Sequence, residues 1–310
     1  MSMLSQLTCV IPSYRNPDRV GRAIESVLEQ SGVDTRVIVV IDDQCRATER
    51  LAASLGERVE TIWNETNRGA PYSRNAGLAR AKTPFVMFLD SDDWIEGELL
   101  AGLCKAIESQ SAQIGFGPWR RYLDETGIYS PIRPGPTGFS TETLFSQWLQ
   151  GKYFVPCCSV LWRTDALKEI GGWDEQLARN QDGELVMRGL LKGLRFAVSD
   201  EGAGIYVTHE GEHRVSKQQQ NYSALVEVVD SLLALESDRV KPEAVNSSAA
   251  RAYYEIARRA FLAGDPVLGR TALAQARGLR FFGHSGSVPA RIIGRFLGLE
   301  NRIRIGKLFP

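Results

Sequence analysis

The sequence predicts an α/β protein in which a sheet flanked by helices is followed by a C-terminal helical appendage. Two observations indicate this. Over roughly the first ninety residues, short apolar runs alternate with amphipathic stretches, which is the pattern of βαβ units on a parallel sheet. Beyond about residue 217, helical periodicity continues without strand-like runs. We therefore expect one domain over residues 1–217 and a helical region over residues 218–310.

Each element of the first part is predicted from its own residue pattern. Residues 36–41 are almost purely β-branched, as expected of a strand that is buried on both faces. Residues 17–30 carry Val20, Ile24 and Val27 at the spacing of a helix face that packs on a sheet. The same reasoning predicts strands over residues 7–11, 59–63 and 85–89, and helices over residues 47–55 and 70–81.

The second part of the chain differs in pattern. Residues 115–138 contain prolines mixed with aromatic residues, so we expect irregular structure there. The remaining predicted elements are strands over residues 155–162 and 204–208, and helices over residues 141–150, 182–192, 222–235, 244–262 and 267–277.

Composition narrows the class of protein. A chain of 310 residues with 43% hydrophobic residues can bury a full core. Its 37 basic and 37 acidic residues cancel, so no global charge favours nucleic acid as a partner. The 5 cysteines form no CxxC pair, which fits a reduced, cytoplasmic compartment. We find no secretory signal pattern and no apolar run of roughly 20 residues, so the sequence predicts neither a secreted nor an integral membrane protein.

Polar residues follow each of the first four predicted strands. In a parallel sheet the carboxyl ends of the strands meet at one edge, and ligands bind in the crevice there. These residues are therefore candidate ligand contacts. They are Pro12, Ser13 and Tyr14 after the first strand, Asp42 and Asp43 after the second, Asn64 and Asn67 after the third, and Asp90, Ser91, Asp92 and Asp93 after the fourth.

Asp90 and Asp92 form the strongest candidate metal site. Alternate residues just past a strand end can direct two carboxylates toward one point, and hard oxygen ligands suit Mn²⁺ or Mg²⁺ held together with substrate phosphates. The alternative is a solvated acidic loop or a helix cap. Asp93, directly before Trp94, is the better cap candidate.

Four segments together resemble a known family. They are CVIPSYRN at 9–16, VIDD at 40–43, NRGAPYSRNAGLARAKTPFVMFLDSDD at 67–93 and GGWDE at 171–175. In this order they resemble the family 2 glycosyltransferases of GT-A fold, over residues 7–216. The resemblance implies a Rossmann-like mixed sheet flanked by helices, with a nucleotide-sugar half over about residues 1–95 and an acceptor half over about residues 96–217.

The resemblance also implies an activity. It is the inverting, metal-dependent transfer of a sugar from a nucleotide-diphosphate sugar, most commonly a uridine diphosphate sugar, to an acceptor hydroxyl on a glycan or a lipid-linked acceptor, in cell-surface glycan or polysaccharide synthesis. One alternative is a non-catalytic relative that binds a sugar nucleotide or a glycan. Another is a nucleotidyltransferase, which would need a glycine-rich basic loop after the first strand, and PSYRNPDR is not such a loop.

The family implies roles for the polar strand ends. Its acidic pair binds the nucleotide and corresponds to Asp42 and Asp43, of which we favour Asp43; a turn-forming pair is the alternative. The chain departs from the family's usual Gly-Ser at Gln44 and Cys45, which affects the turn that touches the base. Arg74 matches an arginine of the family that reaches the nucleotide; a surface ion pair is the alternative. The predicted nucleotide-binding set is Pro12, Ser13, Tyr14, Asp42, Asp43, Asn67, Arg74, Asp90 and Ser91.

An inverting transfer needs a base near the acceptor hydroxyl. In NQDGELVMRG, Asp182 matches the family's catalytic base, with helix capping as the alternative and Glu184 as a second candidate. Gln181, on the acceptor side, stands where the family often has Glu. Trp173 resembles the aromatic residue that borders the acceptor pocket, although a core tryptophan is the alternative.

Two further features remain open. His209 matches a histidine that some family members use as a metal ligand, and His213 follows it closely; surface histidines are the alternative. The tail around residues 291–303 combines apolar residues with arginines on a helical repeat. It is compatible with a peripheral helix on the inner face of a membrane, or with packing onto the catalytic domain.

Overall fold

The computed structural model describes residues 4–43, 45–208, 222–237, 239–281, 297–301 and 303. Its strands are β1 (Ser5–Ser13), β2 (Val33–Ile41), β3 (Val59–Trp63), β4 (Phe85–Phe88), β5 (Trp94–Glu96), β6 (Ile114–Phe116), β7 (Trp119–Leu123), β8 (Ile128–Tyr129), β9 (Val160–Arg163), β10 (Phe196–Val198) and β11 (Ala203–Thr208). Its longer helices are α1 (Pro17–Leu28), α2 (Arg46–Ser54), α3 (Ala70–Arg80), α4 (Leu99–Gln110), α5 (Thr141–Leu149), α6 (Thr164–Glu169), α7 (Gln181–Leu191), α8 (Tyr222–Leu233), α9 (Pro242–Ala263) and α10 (Pro266–Gly278).

The main sheet has, within the described residues, seven strands in the order β10-β6-β9-β4-β1-β2-β3. β1 pairs in parallel with both β2 and β4, and β2 pairs in parallel with β3. β9 runs antiparallel to its two neighbours. The sheet is therefore mixed, which confirms the predicted fold class.

The core of this sheet explains why the predicted elements form. β2 is buried along its last five residues, as its β-branched sequence predicts, because helices cover both faces of a parallel sheet. α1 buries Val20, Ile24 and Val27 against that sheet. α3 packs close to β1 at Gly77, where an added Cβ would lie 2.3 Å from Val10 Cγ1. Gly77 thus serves close helix packing, whereas Gly69 supplies the backbone φ of 82° that precedes α3.

Residues 115–138 correct one expectation. Within this segment, β7 and β8 pair as an antiparallel hairpin in a second sheet of order β5-β11-β7-β8, whereas residues 130–138 form no strand or helix, as expected. The prolines did not prevent strand formation because they lie outside the two strands, at Pro118 and beyond Tyr129. A second correction concerns residues 155–162, which begin with a 3₁₀ turn at Cys157–Ser159 and only then enter β9.

The described chain divides into two compact units by internal contacts. The first contains Met1–Thr141, Val155–Gln176 and Lys192–Gly211, and so holds both sheets. The second contains Glu142–Phe154, Leu177–Leu191 and Glu212–Pro310. The boundary expected near residue 217 stays a prediction, and the second unit takes in α5 and α7 as well as the C-terminal helices.

The second unit has its own core, in which α9 packs against α8 and α10. Tyr253, Ala257 and Ala272 are fully buried there. Leu299 and Ile303 belong to the same cluster, so these two tail residues pack against the C-terminal helices, and packing of the tail onto the catalytic domain stays a prediction. Ile292, Phe296 and the tail arginines lie outside the described residues. Among the helices that the structure describes, none is long and apolar enough to cross a membrane.

Candidate functional site

The carboxyl ends of β1 and β4 form the switch point of the main sheet. The chain proceeds from β1 to β2 and β3 on one side and then returns to place β4 on the other side of β1. At such a point two crossover connections diverge and leave a crevice beyond the strand ends. Ser13 ends β1 and Asp90 follows β4, so the polar residues that the sequence singles out lie beyond these two strand ends.

Asp90 is held by an arginine. Arg74 Nη2 donates a hydrogen bond to Asp90 Oδ1 at 2.5 Å, and the two side chains are 8% and 36% exposed. The guanidinium carbon of Arg74 lies 4.4 Å from the centre of the Trp173 ring. Arg74 is thus buried between an aromatic face and a carboxylate, and the partly exposed carboxylate is the side of the pair that a ligand can reach.

The rest of the turn after β4 is fixed by neighbouring side chains. Asn16 Nδ2 donates to Ser91 Oγ at 3.1 Å, and Ser91 is buried. Arg22 Nη2 approaches the carbonyl oxygen of Asp92 at 3.4 Å, while its guanidinium lies 3.6 Å from the Trp94 ring centre. These contacts tie the turn to α1 and its N-terminus.

Asp93 corrects the capping expectation. β5, and not a helix, begins at Trp94. Asp93 is buried, and its Oδ1 accepts a hydrogen bond from the Val207 backbone N–H at 2.8 Å. Asp93 therefore anchors β11 beside the turn, because a buried carboxylate needs donors that replace water.

Asp42 is engaged by the protein itself. It is 3% exposed, and its carboxylate accepts from Asn64 Nδ2 at 2.6 Å, from Arg68 N at 2.9 Å and from Gly69 N at 2.8 Å. Asn64 also donates to Ser73 Oγ at 3.0 Å. This favours a role for Asp42 in holding the loop that leads into α3.

Asp43 is the more accessible member of the pair. Its Oδ1 accepts from Cys45 N at 3.0 Å, and its Oδ2 accepts from the Arg15 backbone N–H. It thereby joins the turn after β2 to the turn after β1. Hydrogen bonds from Thr48 lower the pKa of the partly exposed Cys45 thiol beneath its ordinary value.

The residues after β1 line the same edge. Ser13 is 1% exposed, and its Oγ has no hydrogen-bond partner among the described residues. Pro12 is partly buried and Tyr14 is exposed, with Arg15 5.0 Å from its ring centre. Asn67 is exposed, and its Oδ1 accepts from Gly69 N at 3.1 Å. A buried hydroxyl without a partner at a ligand-facing edge is the kind of group that a ligand satisfies.

The candidate base lies in the second unit. Asp182 stands in the first turn of α7 and is partly exposed. Glu184 is 2% exposed and forms a two-point ion pair with Arg188, with distances of 2.7 Å and 3.1 Å. Gln181 Nε2 donates to the Leu177 carbonyl at 2.8 Å. Glu184 is buried, so the partly exposed Asp182 is the more accessible of the two candidate carboxylates.

The predicted acceptor contact and the predicted histidine ligands have different outcomes. Trp173 is only 3% exposed and packs edge-on against Phe88, which favours the alternative of a core tryptophan over an acceptor-facing plate. His209 and His213 lie outside the described residues. Within the part of the chain that the structure describes, no group of three or more histidine, cysteine, aspartate or glutamate side chains gathers as a metal site. Asp90 and Asp92 remain a two-carboxylate candidate.

Sequence reasoning missed three contacts of the site. Asn16 and Arg22 lie on or next to α1, and nothing in their spacing distinguishes them from ordinary surface residues. The stacking of Trp173 on Arg74 joins residues that are far apart in sequence, so only the packed fold shows it. Cys158, near the same edge of the sheet, is buried, and burial raises the pKa of its thiol well above the ordinary value.

Comparison with known proteins identifies related sequences and structures. The model of the family described as "Glycosyl transferase family 2" matches residues 8–171. The succinoglycan biosynthesis protein ExoO of Rhizobium meliloti is 30% identical over 216 residues, which cover 66% of this chain and 61% of that protein. An uncharacterized glycosyltransferase of Haemophilus influenzae is 34% identical over 186 residues, covering 59% of this chain and 61% of that protein. The chain thus spans less than two thirds of these relatives' lengths.

Solved structures share the fold. Staphylococcus aureus TarS 1-349, crystallised in complex with UDP-GlcNAc, superposes with a TM-score of 0.72 at 19% identity, covering 98% of this chain and 91% of that one. The mannosyltransferase PcManGT of Pyrobaculum calidifontis, in complex with GDP-Man and Mn²⁺, gives a TM-score of 0.59 at 14% identity, covering 99% and 84%. The family match spans more than half of the chain and contains the strand-end residues described above. The chain belongs to glycosyl transferase family 2.

Proposed function

We propose that the protein transfers a sugar, with inversion, from a uridine diphosphate sugar to an acceptor hydroxyl during polysaccharide or cell-surface glycan synthesis. Family membership supports the class of reaction. The choice of uridine draws on the UDP-GlcNAc complex of TarS, and the choice of pathway on the name of ExoO. We propose a glycan or lipid-linked molecule as the acceptor.

The observation that carries the proposal is the position of Asp90. It follows β4 at the switch point, its carboxylate is partly exposed, and Arg74 holds it from the buried side at 2.5 Å. A carboxylate fixed in this way is pre-organised for a ligand, because its orientation needs no adjustment at the moment of binding.

Asp90 and Asp92 are the residues we propose to hold Mn²⁺ or Mg²⁺, with His209 as a further candidate ligand. Their chemistry fits, since both offer hard oxygen atoms and Asp90 exposes its carboxylate at the strand end. When bound, a divalent cation would offset the negative charge that develops on the departing nucleoside diphosphate.

The remaining roles fall to side chains of the strand ends and of α7. We propose that Tyr14, Asp43 and the buried hydroxyl of Ser13 contact the nucleoside, since they surround one edge of the sheet and Ser13 Oγ lacks a partner among the described residues. Asp182 would accept the proton of the acceptor hydroxyl as the sugar carbon is attacked. General base catalysis of this kind contributes about 10²- to 10⁴-fold to a rate.

Calorimetric titration with a panel of nucleoside diphosphates, with and without Mn²⁺, tests the donor site. We expect one nucleotide, uridine diphosphate, to bind in a metal-dependent way, and Asp92→Ala to abolish that dependence. Asp200→Ala, which removes an exposed carboxylate between β10 and β11, is the matched control and should bind like the wild type. A folded protein that binds no nucleoside diphosphate would refute the donor site.

A second variant separates catalysis from binding. Asp182→Asn should keep the nucleotide affinity of the wild type and lose turnover, measured as nucleoside diphosphate release, by at least about 10²-fold. Unchanged turnover in Asp182→Asn would reject it as the base. Nucleotide binding without turnover by the wild type, across a broad panel of glycan acceptors, would instead favour a non-catalytic relative.

A further inference from the structure

Trp173 touches both the arginine that holds Asp90 and the strand that leads to Asp90. Its ring centre lies 4.4 Å from the Arg74 guanidinium carbon. Its ring also meets the Phe88 ring edge-on, at 5.1 Å between centroids and 85° between planes. Phe88 is the last residue of β4, two positions before Asp90. One buried indole therefore contacts both structural supports of this carboxylate.

The segment that carries Trp173 is itself clamped onto α3. Asn75 Nδ2 donates to the Trp173 carbonyl at 2.9 Å, and the Trp173 N–H donates to Asn75 Oδ1 at 2.9 Å. Asn75 Nδ2 also donates to Glu175 Oε1 at 2.8 Å. Gly172 precedes the ring with a φ of 65°, and a Cβ there would lie 2.7 Å from Asn75 Oδ1. Asn75, the residue next to Arg74, thus holds the Trp173 backbone through both its N–H and its carbonyl group.

The burial of Arg74 strengthens its contact with the Trp173 ring. Arg74 is 8% exposed, so its guanidinium has lost most of its water. The face of an indole ring is the best aromatic partner for such a cation, and the attraction is larger when the pair is desolvated. A stacked guanidinium also loses rotational freedom, so that its Nη2 donor stays directed at Asp90 Oδ1.

We propose that Trp173 is a positioning residue for the donor site: its clamped indole fixes the Arg74 guanidinium, and through it the orientation of the Asp90 carboxylate. The inference rests on the proposed function, because it assigns Asp90 to the donor. It gives the GGWDE segment a role on the donor side of the reaction. Trp173 acts through Arg74 and is not itself a contact of the sugar.

A double-mutant cycle on nucleotide affinity tests this route. The variants are Trp173→Leu, Arg74→Ala and the double variant, each titrated calorimetrically with uridine diphosphate in the presence of Mn²⁺. Trp173→Leu should weaken binding about five- to twentyfold, the range expected for a desolvated cation–π contact. In the Arg74→Ala background the same substitution should change affinity by less than about twofold, since the side chain through which Trp173 acts is already gone.

Trp173→Phe keeps the proposal testable if Trp173→Leu fails to fold. Phenylalanine retains an aromatic face with a weaker attraction for cations, so this variant should lie between the wild type and Trp173→Leu and should also lose its effect in the Arg74→Ala background. Trp119→Leu is the matched control. Trp119 is a buried tryptophan beneath another arginine, with Arg133 at 5.1 Å from its ring centre, in the second sheet. The Trp119→Leu variant should bind nucleotide with an affinity within about twofold of that of the wild type.

The outcomes separate the two proposals. A wild type that binds no nucleotide refutes the proposed function together with this inference. A wild type that binds, with Trp173 substitutions that weaken binding equally in both backgrounds, refutes only the inference, because additive effects indicate general loss of packing. A wild type that binds, with Trp173 effects that vanish without Arg74, supports the positioning role.

Discussion

The turns after β2 and β4 use the same residue type in opposite ways. Asp42, after β2, is 3% exposed, and three donors of the protein satisfy its carboxylate. Asp90, after β4, is 36% exposed at its side chain and is held from one side by Arg74. Both lie at the carboxyl edge of one sheet, and both belong to acidic motifs.

The two carboxylates therefore serve different purposes. The carboxylate of Asp42 stabilises the loop into α3, because each buried donor that it satisfies would otherwise lose its hydrogen bond to water. The carboxylate of Asp90 keeps a solvent-facing side, so it can exchange water for a ligand. An acidic motif at a strand end therefore does not by itself identify a ligand contact; the donors around each oxygen do.

The largest expected effect concerns Asp90. Asp90→Asn preserves the shape of the side chain but removes its charge, so turnover, measured as nucleoside diphosphate release, should fall by about 10²- to 10³-fold. The free energy of unfolding should change by less than about 2 kcal/mol, because the group is partly exposed. Asp200→Asn serves as the control. A loss of stability without a loss of turnover would make Asp90 resemble Asp42.

The opposite result is expected for Asp42. Asp42→Ala leaves Asn64 Nδ2 and the backbone N–H groups of Arg68 and Gly69 without their acceptor, so the free energy of unfolding in urea should fall by about 3 kcal/mol. Asp43→Ala is the neighbouring control and should cost less than about 1 kcal/mol, since Asp43 is more exposed. Equal losses in the two variants would contradict the distinction between them.

The position of α3, which carries Arg74, depends on its approach to β1. Gly77→Ala would place a Cβ 2.3 Å from Val10 Cγ1, so thermal or urea unfolding should show a loss of about 1–3 kcal/mol. Gly278→Ala is the matched control: no atom lies within 4 Å of its added Cβ, so its stability should be unchanged or slightly higher. A tolerated Gly77→Ala would mean that α3 can move away from β1 without cost.

The smallest expected effect tests whether the turn after β2 lies beside the proposed nucleotide site. Because Thr48 lowers the pKa of Cys45, this thiol should ionise at a lower pH than an ordinary cysteine. Its alkylation rate should therefore reach its plateau at a lower pH, since the thiolate is the nucleophile. In a Cys157→Ser background, uridine diphosphate with Mn²⁺ should slow the alkylation severalfold, as followed by mass spectrometry. Buried Cys9 and Cys104 are internal controls that should stay unmodified. An alkylation rate that does not change with nucleotide would argue against placing the turn after β2 in the proposed nucleotide site.

Much of the fold could be predicted because each element carries a local signal. The run of β-branched residues in β2 and the helical spacing of Val20, Ile24 and Val27 in α1 are properties of short windows. The direction of a strand is not such a property. β9 is apolar like its neighbours, and only its pairing with β4 shows that it runs the other way.

The site was predictable to the level of residue types at strand ends. The sequence identifies Asp90 as a candidate ligand, but it cannot show that Arg74 holds it or that Trp173 is buried beneath that arginine. Those contacts depend on packing between segments that are distant along the chain. For the same reason Asp93 resembled a helix cap, although its partner is the backbone of Val207 in β11.

The antiparallel strand β9 also has a consequence for how the chain folds as it is synthesised. β1, β2, β3 and β4 come from the first part of the chain and pair with one another, so this half of the sheet can form early. β6 can join this half of the sheet only after β9 has been synthesised, because β9 lies between β6 and β4 and pairs with both. Phe85 of β4, for example, pairs with Arg163 of β9. Contacts that close such long loops form slowly. Until β9 pairs with it, β4 is an edge strand of this half of the sheet, and an unpaired strand edge can pair with another chain.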